Sequence, residues 1–331
     1  MKWFRRDCVA FMDFTKAFDS IDLTILLTKL QLVGVPVSFC RLLRTVWSQM
    51  KTFLKAGQRF SLLFTPNRGN QQGDIISPIL FSLYVSDLPD NLLPIGCCVN
   101  GSNVNTTSVN QNSTFCLQKT ISYIFFADDA CFPSSSPEGL QEQLEALRGY
   151  CLANKLTVNV KKTKVMYFFK GRLSNHNANF GFTYDSFPIE RVKSFCYLGF
   201  TFTQRLSFSP HVENLVSKGR SRLGVMQTQI NIRNLKLDVA LQLFDTYVFS
   251  GLRYGLPLWI NNCSESVMNS LNATFSKFLK SYLGVPFHSN NAIVHLITGT
   301  CPLVDRLKHI APHSTGGLSF PLLCMVSNLA S

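Results

Sequence analysis

The sequence lacks the features that mark membrane, secreted and disulfide-stapled proteins. No uninterrupted apolar run approaches the roughly 20 residues of a membrane-spanning helix, so no membrane partner is expected. The 11 cysteines include no CxxC pair and their number is odd, which favours reduced thiols over a disulfide framework. Asp7 and Asp13 interrupt the first apolar stretch, which is therefore unlike a signal peptide. We expect an intracellular protein of the cytoplasm, the nucleus or both.

Carboxylates are also scarce, and positive charge dominates. The 331 residues include 32 lysines and arginines against 19 aspartates and glutamates, a formal net charge of +13. A protein this basic is attracted to polyanions such as nucleic acid or an anionic membrane, although a generic basic surface gives the same balance. Hydrophobic residues make up 46% of the chain, which is ample material for a folded core.

The pattern of apolar residues changes once along the chain. Up to about residue 205, short apolar strands alternate with amphipathic helices, and beyond that point the pattern is helical. This order predicts an α+β fold. We predict a mixed unit over residues 1–205, with a long polar loop at about 95–120, and a helical unit over 206–331.

Several elements of the first unit can be placed from the sequence. We predict a buried strand that ends at Asp13, a helix capped by Asp22 and a helix capped by Ser136. A further helix is predicted from about Pro36 to Met50. The stretches KTFLKAGQRF and KVMYFF each have the pattern of a single strand.

The stretch YIFFADDACF places two adjacent carboxylates, Asp128 and Asp129, between apolar runs that predict a hairpin. Neighbouring carboxylates repel each other and are costly to desolvate. A divalent metal ion such as Mg²⁺ removes that cost, because it prefers carboxylate oxygens. Asp13 stands where another apolar strand ends, so it can complete such a site. Taken alone, the pair is more simply a solvated turn, and the segment after Asp13 a helix N-terminus.

The aspartate pair belongs to one of five motifs that follow one another along the chain: FMDFTKAFDSID, RGNQQGDIISPILFSLYVSDLP, YIFFADDA, LTVNVKKTKVMYF and FCYLGFTF. In this order they resemble the palm motifs of reverse transcriptases, most closely those of the non-LTR retrotransposon (LINE-like) type. YVFSGLRYGLPLW and FSKFLKSYLGVP resemble the segment that follows the palm, and the resemblance covers residues 8 to 305. It implies a polymerase palm, an antiparallel sheet backed by helices, followed by an all-α thumb-like region. An intron-encoded maturase shares the palm but fits these tail stretches less well.

The resemblance implies an RNA-directed DNA polymerase, a nucleotidyltransferase that extends a DNA primer on an RNA template with deoxynucleoside triphosphates. Asp13 and Asp128 match the aspartates that bind two Mg²⁺ ions, for which Mn²⁺ can substitute, and Asp129 matches their companion carboxylate. Lys162 matches a lysine near the triphosphate that protonates the pyrophosphate, although it is one of several charges in its stretch.

Other positions match the nucleotide and primer contacts of the family. The resemblance implies the backbone carbonyl of Phe14 as an additional metal ligand, and Phe18 matches the ring that lies under the sugar and selects deoxynucleotides. Ordinary core packing is the alternative for Phe18. Gln72 and Gly73 match the loop that touches the incoming nucleotide and the template. The turn that grips the primer end is matched by Tyr197, Leu198 and Gly199.

The sequence departs from the family at its start, because only MKWFRRDC precedes the first motif. We therefore expect the fingers region to be largely missing, and neither an endonuclease domain nor a terminal Cys/His knuckle is recognisable. Whether the chain is an enzyme stays open at this point. The alternative to an active polymerase is an inactive, truncated retrotransposon remnant that retains at most nucleic-acid binding. The sequence does not indicate an oligomeric state.

Overall fold

The structure is a computed structural model that describes residues 7–63, 69, 75–100, 118–169, 177 and 179–311. Within these ranges the chain forms two compact units, one extending to Lys193 and one beginning at Ser194. Helices and strands are both present, so the α+β class is confirmed at that level. The helical part of the second unit begins after its last strand, which ends at Thr203.

The first unit is built on a five-stranded sheet. The strands of this sheet are β1 (Asp7–Asp13), β6 (Ile124–Phe126), β7 (Asp129–Ser134), β8 (Lys164–Phe168) and β11 (Glu190–Arg191). Three separate two-stranded ladders are formed by β2 (Lys55–Ala56) with β3 (Arg59–Phe60), β4 (Cys97–Asn100) with β5 (Gln118–Ile121), and β9 (Thr183–Tyr184) with β10 (Phe187–Pro188). The order in the large sheet is β11-β8-β1-β7-β6. Its pairs are antiparallel except that of β11 with β8. The central strand β1 is buried from Cys8 to Met12, which explains its continuous apolar run.

Helices of the first unit cover this sheet and carry the predicted caps. They are α1 (Ala17–Ser20), α2 (Leu23–Leu32), α3 (Val37–Gln49), α4 (Ser77–Tyr84), α5 (Leu88–Asn91) and α6 (Pro137–Ala153). The carboxylate of Asp22 accepts hydrogen bonds from the first backbone N–H groups of α2, at 3.0 and 3.2 Å. The Ser136 hydroxyl accepts from the N–H of Gly139 at 3.1 Å. Both predicted caps, and the helix predicted over about 36–50, are confirmed.

Two predictions about the first unit were wrong. KTFLKAGQRF is not one strand but two short ones, β2 and β3, because Gly57 adopts a positive φ of 64° and turns the chain. The stretch from 95 to 120 is not all loop, because β4 pairs with β5. The two ends of this stretch contain cysteine and β-branched residues, which are more favourable in strands than the Asn- and Ser-rich residues of its centre. The middle of that stretch lies outside the described residues.

A buried lysine joins three elements of the first unit. The ammonium group of Lys29 donates to the backbone carbonyl of Tyr84 at 2.7 Å, to Asp87 Oδ1 at 2.6 Å and to the Tyr150 hydroxyl at 3.0 Å. The Tyr150 hydroxyl in turn donates to Asp87 at 2.6 Å. Burial lowers the pKa of Lys29, although the bond to Asp87 opposes this shift. The ion pair is thus the main compensation for a buried cation that connects α2 to α4, to the residue before α5 and to α6.

The second unit consists of one hairpin followed by helices. Its elements are β12 (Ser194–Tyr197), β13 (Phe200–Thr203), α7 (Ser209–Gln229), α8 (Leu237–Phe244), α9 (Ser250–Leu252), α10 (Leu256–Trp259), α11 (Glu265–Leu283), α12 (Asn291–Thr298) and α13 (Leu303–Ile310), with a 3₁₀ turn at Ile232–Asn234 and a π-helical turn at Asp245–Phe249. Its core includes Trp259, Phe244, Phe275 and Phe278, all fully buried. Among the described helices, none has both the length and the apolar character needed to cross a membrane.

His211 lies buried in this unit, and the stability of the unit should depend on its charge. Its ring packs against that of Phe200, with ring centroids 3.9 Å apart and the ring planes inclined at 31°. Burial lowers the pKa of His211, and the nearby charge of Lys218 acts in the same direction, while a backbone hydrogen bond to Tyr254 opposes them. The unfolded chain therefore binds a proton at His211 at pH values where the folded chain does not, and stability is lost as the pH falls through the unfolded value of 6.5.

We expect hydrogen exchange of amides in the second unit to reveal this loss. After correction for intrinsic exchange rates, protection of β13 in the parent chain should be lower at pH 5.5 than at pH 7.5. A His211→Gln variant should show little of that pH dependence. Replacing the exposed His288 with glutamine is the control, and the same loss of pH dependence in that variant would contradict the assignment.

Candidate active site

The paired aspartates lie on a hairpin, as the sequence predicted. Strands β6 and β7 pair with Phe126 opposite Asp129, so Ala127 and Asp128 form the turn between them. Ala127 has a φ of 53°, the left-handed conformation that such tight turns require. Strand β7 also pairs with β1, and the register of that ladder places Asp13 directly opposite Asp129. Two aspartates far apart in sequence are thereby brought face to face at the end of the sheet.

The segment that follows β1 is fixed on its other side by residues 157–159. The backbone N–H of Asn159 donates to the carbonyl of Asp13 at 2.7 Å, and that of Thr15 donates to the carbonyl of Thr157 at 2.7 Å. These bonds form an isolated bridge between Phe14 and Val158. The bridge uses the carbonyl of Asp13, so the Phe14 carbonyl, an expected metal ligand, takes no part in it.

Lys162 is held next to Asp13 by a turn that Asn159 organises. The Nζ atom of Lys162 lies 3.4 Å from Asp13 Oδ2. The backbone N–H groups of Lys162 and Thr163 both donate to the carbonyl of Asn159, at 3.1 and 2.9 Å. The side chain of Asn159 also accepts from the Lys162 N–H at 3.3 Å. Sequence analysis missed Asn159, although an asparagine two residues before a lysine pair is a turn signal that could have found it.

The negative charges at this site repel one another, and one carboxylate oxygen accepts no hydrogen bond among the described residues. Burial raises the pKa of Asp129, and the charges of Asp128 and then Asp13 raise it further, while Lys162 acts in the opposite direction. The Oδ2 atom of Asp13 is buried and accepts no hydrogen bond within the described ranges, and it lies 3.4 Å from the Nζ atom of Lys162. Buried carboxylate oxygens are normally satisfied, so this arrangement is one that a bound cation would stabilise.

The donor set fits Mg²⁺. It consists of carboxylate oxygens, the ligands that this hard cation prefers. In the part of the chain that the structure describes, no three or more His, Cys, Asp or Glu side chains form a group that could hold a metal ion. Mg²⁺ is typically held by one or two carboxylates, with water and substrate phosphate completing the shell, so a closed cage is not required.

The two predicted phenylalanines both belong to an aromatic cluster. Phe14 is buried and its ring centroid lies 6.5 Å from that of Phe125, on the β6–β7 hairpin. Phe18 is half-buried, with its ring centroid 5.3 Å from that of Phe81 in α4. Core packing therefore accounts for part of the Phe18 surface and leaves the remainder exposed. Gln72 and Gly73 lie outside the described residues.

In the second unit, Tyr197, Leu198 and Gly199 lie at the tip of the β12–β13 hairpin. Tyr197 pairs with Phe200, so Leu198 and Gly199 form a two-residue turn. Both have positive φ, 49° and 75°, as in the turn type that suits the twist of a hairpin. The same unit carries exposed basic residues along α7: Lys218, Arg220 and Arg222.

Comparisons with known proteins agree with the motifs. The family model described as reverse transcriptase (RNA-dependent DNA polymerase) matches residues 5–202. The RNA-directed DNA polymerase from mobile element jockey of Drosophila funebris is 23% identical over 91% of this chain and 31% of its own length. The Pol polyprotein from the type-2 retrotransposable element R2DM of Drosophila melanogaster is 24% identical over 98% of this chain and 28% of its own length.

A solved telomerase from Candida albicans, in complex with a TWJ fragment of telomeric RNA, matches 91% of this chain and 52% of its own chain, at 12% identity and a TM-score of 0.42. That similarity is too low for a comparison of individual residues. The chain spans about a third of the length of the curated relatives that it matches, 31% in the case of jockey. The family model, which covers more than half of the chain, confirms the family that the motifs indicate. The chain belongs to the reverse transcriptase (RNA-dependent DNA polymerase) family, and it is of the LINE-like, non-LTR retrotransposon type.

Proposed function

We propose that this chain is the catalytic core of an RNA-directed DNA polymerase, with residues 1–205 as its palm and residues 206–331 as its thumb-like region. It would transfer a nucleotide from a deoxynucleoside triphosphate to the 3′-hydroxyl of a DNA primer on an RNA template. The observation that carries this proposal is the register that sets Asp13 opposite Asp129, with Lys162 at 3.4 Å from Asp13. Phosphoryl transfer depends chiefly on positioning and electrostatic stabilisation, which such a set of residues supplies.

Asp13 and Asp128 would hold two Mg²⁺ ions, or Mn²⁺ in their place, with Asp129 as the companion carboxylate. Bound there, the ions would favour ionisation of the primer hydroxyl and stabilise the charge of the pyrophosphate. The antiparallel pairing of β1 with β7 fixes the spacing of Asp13 and Asp129 before any substrate binds. This preorganisation supports a catalytic role because no rearrangement of the strands is needed during the reaction.

Lys162 would donate a proton to the departing pyrophosphate. Its side chain is 69% exposed, so its ammonium group can leave Asp13 and reach a phosphate oxygen. The exposed part of Phe18 would contact the sugar and exclude a 2′-hydroxyl. Gln72 and Gly73 would contact the incoming nucleotide and template, and the Phe14 carbonyl would add a ligand.

The second unit would hold the nucleic acid. The turn at Tyr197, Leu198 and Gly199 would contact the primer end, and the basic residues of α7 would bind phosphates without sequence preference. Binding of this kind weakens as salt concentration rises, because cations are released from the nucleic acid. We place this activity in the cytoplasm, the nucleus or both.

Primer extension tests the proposal. The purified chain is given a primed RNA template and deoxynucleotides with Mg²⁺ and then with Mn²⁺, next to an Asp128→Ala variant. We expect extension by the parent chain and none by the variant. No extension by either protein, with salt-sensitive RNA binding retained, would contradict the proposal and favour the inactive remnant.

A further inference from the structure

The turn at Leu198 and Gly199 is strained, and something must hold it. A leucine at a φ of 49° is uncommon, because its Cβ crowds the neighbouring carbonyl oxygen. Such a conformation persists only where the surroundings fix it, and it is often found where a ligand is held. The inference that follows rests on the proposed function, from which it takes the contact between this turn and the primer.

Tyr254 is the residue that holds the turn. Its hydroxyl donates a hydrogen bond of 2.5 Å to the backbone carbonyl of Leu198. Its ring also lies against Gly199, where a Cβ atom would stand 3.6 Å from Cε1 of the ring. Tyr254 is 44% exposed, so the turn and the phenol meet at the surface of the unit.

Tyr254 is itself fixed from the interior. Its carbonyl accepts a hydrogen bond from the indole N–H of Trp259 at 2.9 Å, and Trp259 is fully buried. The next residue, Gly255, has a φ of 67°, and a Cβ atom there would come within 2.6 Å of the Phe200 ring. Only glycine fits at that position, so the backbone that carries Tyr254 packs directly against the strand that follows the turn.

A second connection joins the same two segments. The Nδ1 atom of His211 accepts a hydrogen bond from the backbone N–H of Thr201 at 3.3 Å, which places the imidazole proton on Nε2. Nε2 then faces the carbonyl of Tyr254 at 3.5 Å. The hairpin is thus connected to the Tyr254 segment at its turn and along β13, and Tyr254 takes part in both connections.

The bond from Tyr254 also determines where a neighbouring donor points. The peptide group between Leu198 and Gly199 is planar, with its C=O and N–H on opposite sides. When the phenol fixes the carbonyl of Leu198, the N–H of Gly199 must point away from the phenol. Backbone N–H groups are common donors to nucleic-acid phosphates, and they orient a strand without reading its sequence.

We propose that Tyr254 is a positioning residue that aims the Gly199 N–H at a phosphate oxygen of the primer strand. Without the phenolic hydroxyl, the turn would sample other orientations of this peptide group. The loss would therefore weaken the hold on the primer and leave the nucleotide site unchanged.

The test compares two tyrosine-to-phenylalanine variants. Tyr254→Phe removes only the hydroxyl that bonds to Leu198. Tyr282→Phe is the matched control, because its hydroxyl also donates to a backbone carbonyl of the second unit, that of Leu235, at 3.1 Å. Fluorescence anisotropy gives the Kd of labelled primer–template, single-nucleotide extension gives separate KM values for primer–template and deoxynucleotide, and thermal unfolding reports stability.

We expect Tyr254→Phe to raise the Kd and KM for primer–template about tenfold, as loss of one well-oriented hydrogen bond allows. The KM for deoxynucleotide and kcat should stay near the parent values in both variants, and Tyr282→Phe should leave primer–template binding near parent. Any fall in Tm should be similar in the two variants, since each loses one hydrogen bond to a backbone carbonyl. Primers that carry a neutral methylphosphonate at one linkage near the 3′ end should bind the parent less tightly. At the linkage that Gly199 contacts, the methylphosphonate should cause little further loss of affinity in the Tyr254→Phe variant, because that variant has already lost the oriented N–H group.

Three results would overturn the proposal: a Tyr254→Phe variant that binds primer–template like the parent, methylphosphonate effects equal in both proteins at every linkage, or a parent chain that does not bind primer–template. The effects on binding are coupled when the methylphosphonate weakens the parent more than the Tyr254→Phe variant. Such coupling in a chain that extends no primer would support the role of Tyr254 while contradicting the proposed function. Primer extension without such coupling would support the proposed function and contradict the role of Tyr254.

Discussion

An Asp13→Asn variant is expected to add nucleotides at least about a hundredfold more slowly than the parent chain, since even residues that only orient metal ligands cost 10–100-fold when removed. Asp13 lies opposite Asp129 in the β1–β7 ladder, and it is the ion-pair partner of Lys162. Asparagine keeps the shape of the side chain but removes the negative charge. Single-turnover extension of a primed RNA template measures the loss.

The same variant should fold at least as stably as the parent. The buried Oδ2 of Asp13 accepts no hydrogen bond within the described ranges, and the charge of Asp13 raises the pKa of Asp129. Removing that charge should therefore lower the pKa of Asp129, which ¹³C NMR of its carboxyl carbon measures. Asp19→Asn is the control, because Asp19 is exposed and belongs to the same segment. Equal losses of activity in both variants would contradict the assignment of Asp13.

An Asp87→Asn variant should lose about 2–3 kcal/mol of unfolding free energy, because it leaves the Lys29 ammonium buried without a counter-ion. Loss of a partner in a fully buried pair costs more, but the Asp87 side chain is 42% exposed, so solvent screens part of the effect. Urea unfolding of the parent and the variant gives the difference. Asp90→Asn, at an exposed position of the short helix α5 that Asp87 precedes, should change the midpoint little.

The double variant Lys29→Met with Asp87→Asn should recover part of the lost stability, since it removes the unpaired cation. The pair also makes stability depend on pH. Burial acts to raise the pKa of Asp87, but hydrogen bonds from Lys29 and Tyr150 outweigh it and the pKa is lowered. That contribution is therefore present above the unfolded pKa of about 3.9 and is lost in acid below it. Additive effects of the two substitutions would contradict the coupling.

Local signals in the sequence predicted much of the first unit. The caps at Asp22 and Ser136 and the hairpin that carries Asp128 follow from residue types a few positions apart. A helix cap or a tight turn depends on residues only a few positions apart, so the local sequence is enough to predict it. The two helix caps and the hairpin were therefore predicted without knowledge of the tertiary fold.

The contacts that complete the site could not be predicted in this way. The bonds from Asn159 to Asp13 and from Tyr254 to Leu198 join residues far apart in the chain, and neither carries a local pattern that names its partner. The single-strand prediction at 51–60 failed for a related reason, because weak alternation does not distinguish one strand from a two-residue hairpin at a glycine. Register between distant strands is set by packing of the whole sheet.

Binding of divalent metal ions by Asp13, Asp128 and Asp129 is the basis of the proposed nucleotide transfer. Electron paramagnetic resonance of Mn²⁺, titrated into the chain with and without a deoxynucleoside triphosphate, tests it without requiring turnover. We expect the parent chain to bind Mn²⁺, more tightly with nucleotide present, and Asp13→Asn and Asp128→Ala each to weaken binding at least about tenfold. Binding in both variants that equals that of the parent would contradict it.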